Sequence, residues 1–179
     1  LFDLLKQYEA VPVAYPDAPT RLSDDAAALD ASMIWARIES YIAHRFTPRE
    51  VVWIVEGEGD WCPNLGPLEI TAEEVWQDDA WQAASVFASP YGGYRMTAHG
   101  VYRFTGTVGG GGGDVPAPVS EAFRRLAEYL ADDPGTAGAS STSVAIGPIQ
   151  EELERNPNWV ARAMQHSGAA DLLRTYRRV

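Results

Sequence analysis

The stretch that most constrains this chain runs from Val101 to Leu130, where an alternating segment passes through five consecutive glycines into the most regular amphipathic helix of the sequence. Ahead of the glycines, Val101, Arg103, Thr105 and Thr107 alternate with Tyr102, Phe104 and Val108, which predicts a strand with one aromatic face. Beyond them, Val119, Ala122, Phe123, Leu126, Ala127 and Leu130 fall at the spacing that gathers them on one side of a helix. Pro116 and Pro118 suit its first turn, where a missing N–H costs nothing. A fold built around this stretch must join a β region to a helical one, and so clean an apolar stripe needs a surface to cover it.

The run Gly109 to Gly113 resembles a phosphate loop only in composition. A P-loop continues with Lys and Ser or Thr, whereas Asp114 follows here and would repel an anion, and the spacing does not fit a dinucleotide-binding unit. The run reads as a pliable strand-to-helix connection, held by neighbouring structure because ordering consecutive glycines costs much backbone entropy.

On the N-terminal side, Leu1 to Tyr8 is expected as a short helix, followed by an extended passage that Pro12, Pro16 and Pro19 force as far as Leu22. Ser23 or Asp24 caps a helix reaching about Arg45, closed by Thr47-Pro48. One of its faces carries Ala27, Ala31, Ile34, Trp35, Ile38, Tyr41 and Ile42. Leu29, Met33 and Ala36 lie on the other side and offer a second apolar surface, suited to a neighbouring subunit. From Val51 to Val108 the period turns toward two. Strands are expected at Val51–Val55, stopped by Gly57-Glu58-Gly59; at Leu68–Trp76; at Trp81–Phe87 after an Asp78-Asp79 turn; and as a hairpin of Tyr94–Met96 with Val101–Thr107 around His99-Gly100. Trp53, Trp61, Trp76 and Trp81 would pack this small sheet or partial barrel, the alternative being an aromatic binding platform. After the Val119 helix come a small-residue loop, an extended Ser143 to Ile149, a helix capped by Asn156 and stopped by Gly168, and a last turn or two anchored by Leu172, Leu173 and Tyr176.

The predicted fold class is therefore α+β: a helical core with an inserted small antiparallel β-subdomain and extended N- and C-terminal arms. Residues 1–22 form the first arm, and residues 23–179 a single domain with the insert at about 50–108, a core helix at 116–131 and a C-terminal segment at 140–179.

Composition narrows the function classes. A formal charge of −11 excludes a protein that coats nucleic acid, since sequence-independent phosphate binding needs a basic surface, but not one that DNA slides past. Lys6 is the only lysine, while Arg155, Arg162, Arg174, Arg177 and Arg178 give the acidic chain a basic end that can pair with carboxylates on a neighbour. Cys62 stands alone, so no intrachain disulfide or thiolate metal cluster is expected. No run approaches a membrane span and no signal-peptide pattern opens the chain, so the expectation is a soluble intracellular protein whose numbering starts after a start Met.

No constellation of catalytic residues stands out in the sequence, and no cofactor or metal is expected. His44, His99 and His166 lie on unlike elements with no second ligand at metal spacing. Ser140, Ser141 and Ser143 lack a nucleophile elbow, and the pairs Asp24-Asp25, Glu73-Glu74, Asp78-Asp79 and Glu151-Glu152 sit at helix starts or turns, where solvated acids belong. A small hydrolase or transferase built on His44 or His99 with distant carboxylates is the reading from another class.

The helix end Tyr41-Ile42-Ala43-His44-Arg45, the phrase Tyr102-Arg103-Phe104-Thr105-Gly106-Thr107-Val108-Gly109, the Val115-Pro116 opening of the Val119 helix, and the closing Ala170-Asp171-Leu172-Leu173-Arg174-Thr175-Tyr176-Arg177-Arg178 together resemble the head-tail connector (adaptor) proteins of long-tailed bacteriophages and related gene transfer agents. The resemblance covers the order of elements over most of the chain, on motifs that are individually short. It implies a non-enzymatic virion neck protein, assembled in the host cytoplasm, with about twelve copies in a ring under the portal and DNA passing through the lumen. Trp159, Leu172, Leu173, Arg174, Tyr176, Arg177 and Arg178 would dock on the portal, with a stopper or other tail-side connector below. A stopper or tail-side role for this chain itself is the alternative within the same particle. The long connection at 131–157 and the glycine run depart from the family pattern.

Overall fold

The period-two pattern in Val51–Val55 runs much further than its flanking glycines predict. In the computed structural model, which describes residues 2–110, 114–132, 141–146, 149–154 and 159–177, the strand β2 extends over Arg49–Trp61, with Val51, Trp53 and Val55 buried on one face. Its partner β6 is continuous over Tyr94–Val108 and buries Tyr102, Phe104 and Val108 on the same face. The ladder sets Val51 opposite Gly106, Trp53 opposite Phe104 and Val55 opposite Tyr102.

Two stretches that read as turns, Gly57-Glu58-Gly59 and His99-Gly100, face each other across this ladder. Gly57 pairs with Gly100 and Gly59 with Met96, so β6 carries extra residues there and the two strands bend together instead of ending. The Tyr102 hydroxyl donates to the Ala98 carbonyl at 2.7 Å and pins the bulge. Beyond it Trp61 returns over the sheet and stacks on Phe104, ring centroids 4.7 Å apart.

The full antiparallel sheet has the order β1-β2-β6-β3-β4, with β1 at Phe2–Glu9, β3 at Leu68–Gln77, β4 at Ala80–Ala83 and the short β5, Phe87–Ala88, pairing with β6. The β3–β4 turn falls at Asp78-Asp79 as expected, both with positive φ as a two-residue hairpin requires. At Gly106 the β3 backbone comes so close that a Cβ would overlap the Glu69 carbonyl.

The chain divides into two compact units. The first, residues 1–16, 39–114 and 176–179, holds this six-stranded sheet and its own core of Val51, Trp53, Val55, Leu65, Met96, Tyr102, Phe104 and Val108. The predicted helical core with a small β insert is therefore overturned: the sheet dominates and supports its own interior. Nor is the start of the chain a helix. Leu1, Leu4, Leu5 and Tyr8 fit a helical stripe on spacing alone, but residues 2–9 satisfy their backbone on the open edge of β2, from Phe2 against Gly57 to Glu9 against Val51. Tertiary pairing outweighs a weak local preference.

The second unit comprises residues 17–38 and 115–175. The helix expected from Asp24 to Arg45 is two helices, α1 (Asp24–Ala27) and α2 (Ala31–Tyr41). Ser23 caps the first, as expected, accepting from the Ala26 amide. Asp30 interrupts the run because its carboxylate accepts from the Ser32 amide at 2.9 Å and starts a new helix. The glycine-run helix α3 (Ala117–Ala131) buries Val119, Ala122, Phe123, Leu126 and Ala127 as its spacing predicts. Each large apolar side chain in that stripe contributes about 1.5–3 kcal/mol through removal from water. Phe123 packs against Trp35 of α2 at 5.0 Å. The helices α4 (Ala163–His166) and α5 (Ala169–Leu172) lie against α3, separated by Gly168 in a left-handed conformation, the stop that the sequence predicts. Between α3 and α4 the chain forms a hairpin of β7 (Ser141–Ile146) and β8 (Ile149–Glu154), where one extended segment at Ser143–Ile149 was expected. The Asn156 cap and Pro157 fall outside the described residues.

The first two members of the glycine run have a defined role. Gly109 and Gly110 both have positive φ (86° and 81°), and a Cβ would overlap the Thr47 carbonyl at the first and the Pro48 ring at the second. Gly109 donates its amide to the Pro67 carbonyl at 2.8 Å. Gly111, Gly112 and Gly113 lie outside the described residues.

Candidate functional site

Where α2 ends and β2 begins, the first unit buries a four-member ion cluster that sequence reading missed. Arg45 grips Glu9 of β1 through Nε at 2.5 Å and Nη2 at 3.0 Å, while its Nη1 donates to the carbonyls of Glu39 and Ile42 at the end of α2, each at 2.8 Å. Arg49 reaches Glu9 at 3.2 Å and Glu39 at 2.7 Å. Glu39 in turn accepts from the Phe46 amide. Two cations and two carboxylates balance, and with Glu39, Arg45 and Arg49 buried and Glu9 partly so, the cluster fastens β1 and the helix end onto the sheet. Glu9 precedes Arg45 by 36 residues, so no local motif marks the cluster.

Beside this cluster runs a strip of rings. His44 lies 4.7 Å from Phe46 and 5.8 Å from Tyr176, and the Tyr176 carbonyl accepts from the Ala43 amide at 2.9 Å. Arg177 sits 4.9 Å over the Tyr41 ring. Burial, reinforced by the neighbouring Arg45 charge, holds the His44 imidazole below its usual range.

A cavity of about 520 Å³ opens elsewhere in the first unit, lined chiefly by Pro63, Leu65, Pro67, Leu68, Tyr91 and Tyr94 with Cys62 at its wall. Its lining contains no histidine and no carboxylate. Glu73, on the aromatic face of β3, has its carboxyl raised by burial, and Glu74 beside it is lowered by a bidentate Arg103 at 2.6 and 2.7 Å. Arg103 also lies 4.4 Å over Trp81, whose ring meets Trp76 edge-on at 5.2 Å. Among the described residues no cluster of His, Cys, Asp and Glu could hold a metal, and no helix is long and apolar enough to cross a membrane.

The proposed docking residues are distributed unevenly. In the second unit Leu173 is completely buried, Leu172 is half-buried, and Arg174 is exposed and paired with Asp171 at 2.7 Å. Trp159 is half-buried against Tyr129 at 5.8 Å. In the first unit Tyr176 and Arg177 lie on the ring strip just described, and Arg178 lies outside the described residues. Of the residues expected to meet a neighbouring subunit, Met33 and Ala36 share the exposed side of α2, whereas Leu29 is half-buried in the break before it.

Among the described residues, a run of exposed apolar side chains lies at the other end. Leu4, Leu5 and Tyr8 are about half exposed on β1, and the following segment presents Val11 at 85% and Val13 at full exposure while Pro12 is buried. The sequence marks this segment only as an extended, proline-bearing arm, and its burial pattern distinguishes the side that faces out. Neither a protein-family model nor a curated protein sequence matches this chain.

Proposed function

We propose that this chain is a structural adaptor of a tailed phage or phage-like particle, a non-enzymatic neck protein that joins capsid to tail as a ring beneath the portal. The observation that carries the reading is the apolar surface presented by Leu4, Leu5, Tyr8, Val11 and Val13, a contiguous stretch of sequence that an isolated chain leaves to water. A heterologous contact, in which such a stretch covers a different face of the next copy, is the kind that closes rings. The net charge of −11 suits a lumen through which DNA slips, because phosphate meets like charge. The Arg174 and Arg177 side chains, exposed at the chain's basic end, suit contact with acidic groups on a portal.

The sheet-led fold removes one support for this reading, since the family resemblance implied a helical core. The same observation favours the second reading, a stopper or tail-side connector, in which the sheet unit would face the channel. Cosedimentation of purified portal rings with wild-type and Arg174→Glu/Arg177→Glu chains distinguishes them. The adaptor reading expects wild-type binding that the double variant loses. Binding to a tail-side partner and none to the portal would replace it with the second reading.

A further inference from the structure

We propose that His44 is a proton-operated latch, holding the Tyr176–Arg177 end of the chain against residues 41–46 when neutral and releasing it when protonated. This inference concerns the first unit alone and stands whether or not the chain is an adaptor.

Residues 176 and 177 meet the segment 41–46 through main-chain and ring contacts. One main-chain hydrogen bond joins Ala43 to Tyr176, the Tyr176 ring packs on His44 and on Phe46, and Arg177 covers the Tyr41 ring. His44 lies against both Phe46 and Tyr176, so its charge state acts directly on the ring contact that the tail makes there. Among the described residues, the cations of this group are Arg45 on its own segment and Arg177 on the tail, and the neighbouring ion cluster adds Arg49 with Glu9 on β1 and Glu39 on α2. Both of these carboxylates are already engaged by Arg45 and Arg49. An imidazolium here would lose hydration and meet Arg45 at the neighbouring residue. Attraction to the ring faces offsets part of that cost, but burial and Arg45 determine the direction, and the imidazole is lowered.

The linkage follows from that direction. Release removes the burial that the tail supplies while Arg45 stays beside the ring, so His44 rises toward the ordinary value of 6.5 and the open state binds a proton more readily than the latched one. Latching is at full strength above 6.5 and weakens as the pH falls below it, until the lowered value of the latched state has also been passed.

Hydrogen exchange at the Ala43 amide, corrected for the intrinsic pH dependence, reads the latch directly. Protection in the wild type should drop about tenfold between about pH 7.5 and about pH 5, while His44→Phe keeps its protection at both. Nuclear magnetic resonance titration of the His44 imidazole gives the reciprocal test, because Tyr176→Ala should raise its midpoint toward 6.5. Unchanged Ala43 protection while the imidazole titrates, or identical midpoints in wild type and Tyr176→Ala, would overturn the proposal. If His44→Phe does not fold, the comparison of midpoints decides alone.

Discussion

Sequence patterning casts both ends of this chain as arms, and the structure makes them opposites. The N-terminal stretch is fixed by its backbone, through the β1–β2 ladder and the Glu9 cluster, while its side chains Leu4, Leu5, Val11 and Val13 face outward. The C-terminal stretch buries Leu173 completely and lays Tyr176 on His44 and Phe46, leaving mainly arginines in solvent. An apolar residue near a terminus is therefore no guide to a docking surface until its burial is known. Of the two ends, the N-terminal one carries the more exposed apolar side chains among the described residues.

The contrast breaks most readily at Leu173. Truncation to Ala in a fully buried site should lower stability by about 2–5 kcal/mol in a denaturant titration. Val13→Ala, the matching change at the other end, should stay within about 0.5 kcal/mol. Equal effects at the two sites would erase the distinction. Next in size is Glu9→Gln, which leaves Arg45 and Arg49 buried with one carboxylate between them and should cost about 2–3 kcal/mol by the same titration. It would show that the Glu9 ion cluster adds to the backbone ladder in holding the N-terminal strand. A Leu4→Ser/Leu5→Ser/Val11→Ser/Val13→Ser chain sharpens the comparison from the other side. Its stability should change by less than about 1 kcal/mol, with loss of self-association in analytical ultracentrifugation.

Much of the second unit was legible because its signals are local. The α3 stripe, the Ser23 cap and the Gly168 stop each depend on residues within a turn or two of one another. The first unit was misread where the deciding partner is distant. Gly57-Glu58-Gly59 and His99-Gly100 both look like chain reversals until the ladder sets them opposite each other, and Leu1–Tyr8 looks helical until the β2 edge is present to receive it. The ion cluster was invisible for the same reason. Of the expected docking residues, Arg174 and Arg177 are exposed as a contact would need, whereas Leu173 is spent on the chain's own core.

The smallest expected effect separates two acid responses. Arg124 and Arg125 hold the Glu121 carboxyl down at about 2, so this surface group favours the folded state above the ordinary carboxylate range and loses that contribution as pH falls through about 2. Glu121→Gln should therefore flatten the acid limb of the stability curve only below about pH 4.5. The response of the His44 strip, which starts below 6.5, should be untouched by that change.

The central claim is that this chain's outward apolar surface exists to meet other protein copies. Native mass spectrometry of the purified chain, alone and mixed with portal rings, measures that most directly. The account predicts a discrete assembly of many copies on the portal, lost in the Leu4→Ser/Leu5→Ser/Val11→Ser/Val13→Ser chain; a folded monomer that adds to no ring at any concentration would contradict it.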